Sequence, residues 1–211
     1  MSLKQGLIKK TDAISLFLRI FAAAIIFLPP PAFAAASVNG STGIINVPTA
    51  DVLRKGRVSY GAYWLEDGNR ENIVLGLDNR FEIGASSEPL NEGKTSVQLK
   101  FALRQEGVLK AGLAAGIDHI AGSGEKSPYI AATKTLPFGI RVTSGIGEGH
   151  YNGLFGAVEA QIVSGGKKRA LLLAEHDGST LNYGVRFTRQ NVGAELGWRA
   201  KKMFFGVTGN F

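Results

Sequence analysis

The sequence predicts an all-β protein, an up-and-down antiparallel transmembrane β-barrel of about twelve strands, with roughly ten to fourteen inside boundary error. Three observations carry this. From Gly56 onward apolar and polar residues alternate with period two, and no stretch of helical length shows a 3.6 period. The connections alternate short and long, which in an up-and-down barrel sends tight turns to one rim and longer loops to the other. The closing segment KKMFFGVTGNF alternates up to an aromatic last residue, where soluble domains usually have polar, frayed ends.

The first element is not a strand. Lys4, Lys9, Lys10 and Arg19 precede an apolar run from Ile20 to Leu28, and PPPAFA follows with small residues at Ala32 and Ala34. Charge, apolar core and small residues in that order predict a signal peptide over 1–34, cleaved after Ala34. The run is far shorter than the roughly 20 residues of a spanning helix. The chain carries 24 Lys+Arg against 17 Asp+Glu, net +7, and about half of that excess leaves with the signal peptide. Little basic surface then remains to argue for nucleic acid. Without cysteine there is no disulfide scaffold, thiolate metal site or lipid-modified cysteine.

Residues 35–55 form the second element, an N-terminal segment containing GSTGIINVPTADVLRK. Thr49 is placed to cap a short helical turn over ADVLRK that Gly56 ends, with Pro48 keeping the approach extended. The segment would lie at the periplasmic mouth or fold into the lumen, as a structural clip or as a mobile gate.

The barrel proper, 56–211, is read strand by strand. RVSYGAYW places Val58, Tyr60, Ala62 and Trp64 on one face; ENIVLGLD places Ile73, Leu75 and Leu77; FEIGASS places Phe81, Ile83 and Ala85. TSVQLKFAL opposes Val97, Leu99, Phe101 and Leu103 to Ser96, Gln98, Lys100 and Ala102. A fifth strand is expected from Leu109 to Ile117, a weaker sixth from Pro128 to Leu136, then IRVTSGIG, LFGAVEAQI, RALLLAE, LNYGVRFT, VGAELGWR and the closing strand. LDNR, RQEG, PFG, GGKK and RQN read as the tight turns, and LEDGNREN, SEPLNEGK, DHIAGSGEKS and GEGHYNG as the longer loops.

Alternation alone does not say whether the apolar face meets a core or lipid. Lipid is favoured by aromatics near strand ends, with Trp64, Tyr183, Trp198 and Phe205 toward one rim and Phe81, Phe187 and Phe211 toward the other. Glycines at mid-strand on the polar face, among them Gly76, Gly84, Gly145 and Gly206, give a narrow lumen room. The same face carries both signs of charge. Lys100, Lys110, Arg141, Glu159, Arg186, Glu195 and Arg199 are the lumen-facing candidates, lining a path or filling it with ion pairs.

Two resemblances follow. The last strand resembles the assembly signal of Gram-negative outer-membrane barrels, matched at Met203, Phe205, Val207 and Phe211; Gly209 stands where a larger apolar residue is usual. Gly40, Gly43, Ile44, Pro48, Thr49, Ala50 and Gly56 resemble the N-terminal signature of the YjbH family, outer-membrane barrels linked to exopolysaccharide biosynthesis. The chain would be a short, divergent member. The resemblances imply an outer-membrane location, insertion by the barrel-assembly machinery, lipid around the barrel, and polysaccharide or its export proteins as partners.

Catalytic chemistry has a weaker footing. His119, His150 and His176 fall near the longer loops beside Asp118, Glu148, Glu175 and Asp177, with Ser123, Ser127 and Ser179 close in sequence. A nucleophile needs its base within hydrogen-bond reach, and sequence shows no such pair. No metal-ligand spacing and no phosphate loop is present, so no catalytic, metal or cofactor residue is assigned. The expected function is a role in exopolysaccharide export or cell-surface organisation. The alternatives are a lipid-modifying outer-membrane enzyme and a soluble periplasmic β-barrel that binds an apolar ligand.

Overall fold

The computed structural model describes residues 35–88, 94–165 and 168–211. The signal peptide expected at 1–34 lies outside them, as do parts of the SEPLNEGK and GGKK connections. The described chain forms twelve strands: β1 (Val58–Leu65), β2 (Arg70–Asp78), β3 (Phe81–Glu88), β4 (Lys94–Arg104), β5 (Gly112–Gly122), β6 (Ser127–Thr135), β7 (Ile140–Gly147), β8 (Gly153–Gly165), β9 (Lys168–His176), β10 (Leu181–Arg189), β11 (Val192–Arg199) and β12 (Lys202–Asn210).

Each strand pairs antiparallel with its sequence neighbours, and β12 returns to β1, so the sheet closes without an edge. The seam runs from Ser59↔Asn210 to Leu65↔Phe204. It extends one residue further through Val58 N to Phe211 O at 3.0 Å and Phe211 N to Val58 O at 2.8 Å. A closed ladder satisfies every strand's backbone within the barrel, which is the condition for crossing lipid with strands.

The apolar face points outward. Trp64, Ile73, Phe101, Leu103, Ile130, Leu172, Phe187, Leu196 and Met203 are all exposed on it. Two cross-strand pairs anchor the aromatic band away from the chain termini: Trp64 lies 5.4 Å from Phe205, and Tyr183 stacks on Trp198 at 5.5 Å. The polar face points inward and is buried. This is the arrangement of a transmembrane barrel, with its apolar side outward.

Three sequence expectations need correction. β5 begins at Gly112 rather than Leu109, so Val108, Leu109 and Lys110 belong to an exposed connection over 105–111. Glu106 folds that connection back: its carboxylate accepts Thr135 N at 2.5 Å and lies 3.2 Å from Lys134 Nζ. The loop asymmetry is also less marked than expected, because β5 runs on through DHIAG, which reads as the start of a longer loop. The longest connection among the described residues, 105–111, lies at the rim where β1 starts and β12 ends.

The third correction is the ADVLRK helix. Residues 51–54 are irregular, and Lys55–Gly56 make a turn with Gly56 at φ +75°. Thr49 Oγ1 bonds Asp51 Oδ2 at 3.0 Å without capping a helix. The strands hold this stretch extended: Arg141 Nη2 takes Asp51 at 2.7 Å, Glu82 accepts Leu53 N at 2.8 Å, and Gly56 N reaches Gly76 O at 2.8 Å.

Candidate functional site in the barrel lumen

Residues 35–50 occupy the lumen, buried throughout. The segment folds on itself first. Short antiparallel bridges join Ala36 to Thr42 and Gly43 to Pro48, with Val38 N bonded to Ile45 O at 2.8 Å and Ile44 N to Val47 O at 2.9 Å. The tip turns at Gly40, φ +91°, a conformation that suits glycine. A Cβ on Gly43 would stand 2.5 Å from Val47 O, so the tight second turn needs the glycine there.

A segment this short leaves most backbone groups unpaired, and side chains from the strands take them up. Two buried carboxylates do most of this. Glu175 of β9 accepts three consecutive amides, Ile45 N at 3.0 Å, Asn46 N at 2.7 Å and Val47 N at 3.1 Å, forming an anion nest with the carboxylate supplied by the barrel wall. Glu82 of β3 accepts Thr42 N at 3.0 Å and Leu53 N. Lys100 of β4, 3.2 Å from Glu82, donates to Thr42 O at 2.6 Å and to Thr42 Oγ1.

Cations hold the other side. Arg186 of β10 donates to Ile44 O at 2.8 Å and to Glu195 at 2.5 Å. Glu159 lies 3.5 Å from Arg141 and 3.7 Å from Arg186. Arg199 of β11 donates to Asn46 Oδ1 at 2.8 Å. Neutral donors and acceptors complete the set: Tyr63 to Ala36 O, Asn72 to Ser37 O, Gln98 to Asn39 O at 2.8 Å, and Ala50 N to Thr133 Oγ1 at 2.8 Å.

The interior also has an apolar core. Val38, Ile44, Ile45 and Val47 pack with Tyr63, Leu65, Tyr129, Ala131, Phe155, Leu173 and Phe204 from the wall. Full burial of such side chains stabilises by about 1.5–3 kcal/mol each. Close approach is built in at two wall glycines. A Cβ on Gly84 would lie 2.1 Å from Gly40 O, and one on Gly76 would lie 2.2 Å from Arg54 O.

Six of the seven lumen candidates, Lys100, Arg141, Glu159, Arg186, Glu195 and Arg199, face this segment or the ion pairs around it; Lys110 does not, because its strand starts later than expected. Gly43, Pro48, Thr49 and Ala50 form the second turn of the segment and the anchors beyond it, with Thr49 O accepting Lys100 Nζ at 3.2 Å. Phe205 and Val207 on β12, and Phe211 just beyond its end, lie on the outward side.

Sequence reasoning passed over Glu82, Glu175, Asn72 and Thr133 as clamps. Glu82 was visible on the polar face of its strand. The hint at the partner was the apolar Ile44, Ile45 and Val47, which need a place to be buried.

The histidines do not form one site. His119 and His150 meet edge to face at 5.4 Å, while His176 sits on an exposed strand end and accepts Gly178 N at 3.2 Å. Ser127 Oγ accepts the backbone N of His150 at 3.1 Å and donates to Glu125 O at 2.9 Å, so it is not aimed at an imidazole. Near them Tyr151 donates to Asp118 at 2.6 Å. Burial, reinforced by the Asp118 charge, pushes the Tyr151 phenol well above its ordinary range and keeps it protonated as that donor.

Comparison with known proteins agrees with this geometry. The YjbH family profile, described as exopolysaccharide biosynthesis protein YbjH, matches residues 35–192, a span that includes the lumen segment. No curated protein matches the chain. Among solved structures, a KdgM porin is similar with a TM-score of 0.54 at 13% identity, covering 74% of this chain and 98% of the porin. A KdgM porin in complex with disordered oligogalacturonate is similar with a TM-score of 0.52 at 10% identity, again covering 74% and 98%. At such identities the likeness concerns the fold alone, a porin-like closed β-barrel.

Proposed function

The chain belongs to the YjbH family, and on that premise we propose that it acts in exopolysaccharide export or organisation at the cell surface, as an outer-membrane barrel closed by its own N-terminal segment. The observation that carries this reading is the fit between that segment and the lumen. The clamps come from β1, β2, β3, β4, β6, β7, β9, β10 and β11, and the segment lies within the family match. A wall this committed to holding a peptide is not a standing channel for small solutes.

In this reading residues 1–34 direct export and are removed, and the segment from 35 enters the barrel from the periplasmic side. Phe205, Val207 and Phe211 serve recognition by the assembly machinery. Polysaccharide, or the proteins that export it, is the partner. The porin found in complex with oligogalacturonate supports a carbohydrate partner for a barrel of this shape. Among the described residues no histidine, serine and carboxylate set with catalytic geometry favours the lipid-modifying alternative.

The test is deletion of the gene in its host, with secreted and surface-bound polysaccharide quantified by sugar analysis. The expected result is a changed amount or distribution of polymer, restored by the wild-type gene. Unchanged polymer, together with intact expression of the remaining export genes, overturns the reading.

A further inference from the structure

The rim where β1 begins and β12 ends carries an arc of exposed cations. Arg54, Lys55 and Arg57 lie where the chain leaves the lumen for β1, Arg80 on the β2–β3 turn, Arg104 at the end of β4, and Lys110 on the connection to β5. Arg104 Nε donates to Ala111 O at 2.9 Å, and the other five side chains have no hydrogen-bond or ion-pair partner among the described residues.

Nearby acids do not neutralise them. Glu106 is taken by Thr135 N and Lys134, Asp51 is taken by Arg141, and the exposed Asp78 accepts its neighbour Asn79 N at 2.7 Å. Residues 166–167, in the β8–β9 connection at the same rim, are Gly and Lys and bring no carboxylate.

The arc is a single bonded surface. Lys55 N donates to Asn79 Oδ1 at 3.3 Å and Gln105 Nε2 to Asn79 O at 3.0 Å, so Asn79 ties the lead into β1 and the β4–β5 connection to one turn. Gly76 N reaches Arg57 O at 2.9 Å, and Ala102 N reaches Arg80 O at 2.7 Å. With strands about 4.8 Å apart, the arc runs roughly 20 Å from β1 to β5. Like charges fixed along it repel one another and raise the local positive potential, which an anion spanning them would relieve.

Its placement points to the mouth of the barrel. Arg57 and Arg80 each stand one position before an outward-facing apolar residue, Val58 and Phe81, whose cross-strand partners Leu75 and Phe101 are exposed. That puts both cations on the side of the buried Ser59 and Glu82. Lys168 and Arg189 differ: they pair across β9 and β10 on the outward side of Phe187, where lipid headgroups would meet them.

We propose that the arc docks a linear acidic polysaccharide at the mouth that the N-terminal segment closes. Carboxylates spaced along the polymer pair with successive guanidinium and ammonium groups. A length of roughly 20 Å suits several charges of a chain and exceeds a single small anion. The proposal rests on the polysaccharide reading above and narrows it to a negatively charged polymer, held at the rim and not in the clamped lumen.

The test uses the full mature chain in detergent micelles, with polygalacturonate binding read by isothermal titration calorimetry. Methyl-esterified polygalacturonate supplies the same backbone without charge, and polyglutamate supplies charge without sugar. The acidic polymer should bind most tightly, and less tightly as salt is raised. Arg57→Gln, Arg80→Gln and Lys110→Gln combined should weaken it by about tenfold. Lys126→Gln, Lys201→Gln and Lys202→Gln combined, which remove the same charge from the opposite rim, should leave it unchanged. Circular dichroism of each variant confirms an intact barrel.

No binding to the wild type, equal binding of the esterified polymer, wild-type affinity in the mouth variant, or the same loss in the opposite-rim variant overturns the proposal. Tighter binding of polyglutamate overturns the saccharide assignment. In nanodiscs, a preference for phosphatidylglycerol that the wild type shows and the mouth variant loses would assign the cations to headgroups and also overturn it. The two readings fail separately. A polysaccharide phenotype on deletion without binding at the rim removes only this surface's role, whereas charge-dependent binding with no phenotype removes the proposed function and leaves the surface.

Discussion

Glu175 is the residue on which the lumen segment depends most. Its carboxylate accepts three backbone amides and Asn182 Nδ2 at 3.0 Å, and among the described residues no other group accepts from the amides of Ile45–Val47. Glu175→Gln keeps the volume but puts an NH₂ against donors, which should cost about 1.5–3 kcal/mol of segment docking. The expected readout is a lower temperature for a sub-transition assigned to the segment, and faster hydrogen exchange at residues 45–47, with strand amides unchanged.

Beside it Asp177 adds a pH-dependent contact. Burial opposes its charge, but hydrogen bonds from Asn46, Thr180, Asn182 and Ser179 outweigh burial and hold its pKa below the ordinary 3.8. The folded chain then binds fewer protons here than the unfolded one. The stabilisation is present in full above pH 3.8 and is lost as pH falls through the folded value. Exchange at Ser179 and Thr180 should rise below pH 3.8, and Asp177→Asn should remove that dependence.

At the scale of elements, the strands were legible because period two with lipid on one side leaves a strong signal, and β7 and β11 keep their sequence-read bounds. β5 was misplaced because Leu109 continues the alternation in sequence, while Glu106 draws its connection away onto Thr135. The triple leucine of β9 was harder to orient, since Leu173 faces the lumen yet meets an apolar partner in the segment. The clamps were only half legible. Charge on the inner face was readable, but its partner is a backbone, and backbone amides leave no mark in a sequence.

The glycines carry the missing information in part, because a wall glycine marks where another chain comes close. Gly84→Val should drive the segment tip at Gly40 out of place, since even a Cβ would stand 2.1 Å from its carbonyl. Limited proteolysis in micelles should then cut within 37–43, a stretch expected to resist in the wild type. Wild-type resistance in the variant would mean that the tip has another resting place.

For the whole molecule the decisive quantity is the balance between a closed and an open barrel. Four apolar side chains of the segment are buried in the lumen, at about 1.5–3 kcal/mol each. Withdrawal would also leave Glu82, Glu175, Lys100 and Arg186 facing a narrow pore without the groups they now bind. Against this stands the conformational entropy regained by the released residues, about 1–2 kcal/mol per residue for backbone alone. The terms are of similar size, so the wall contacts decide, and with both charge signs satisfied the closed state should dominate.

Single barrels inserted in a planar lipid bilayer should therefore show little ionic current. Deleting residues 36–50, with β1 to β12 retained, should give steady conductance of weak ion selectivity, because Lys100, Arg141, Arg186 and Arg199 would share the lumen with Glu82, Glu159, Glu175 and Glu195. Glu82→Gln combined with Glu175→Gln should give intermittent openings between these limits, as a docking loss of a few kcal/mol raises the open population without removing the segment. A wild-type barrel that conducts as steadily as the deletion would show that the segment does not seal the lumen.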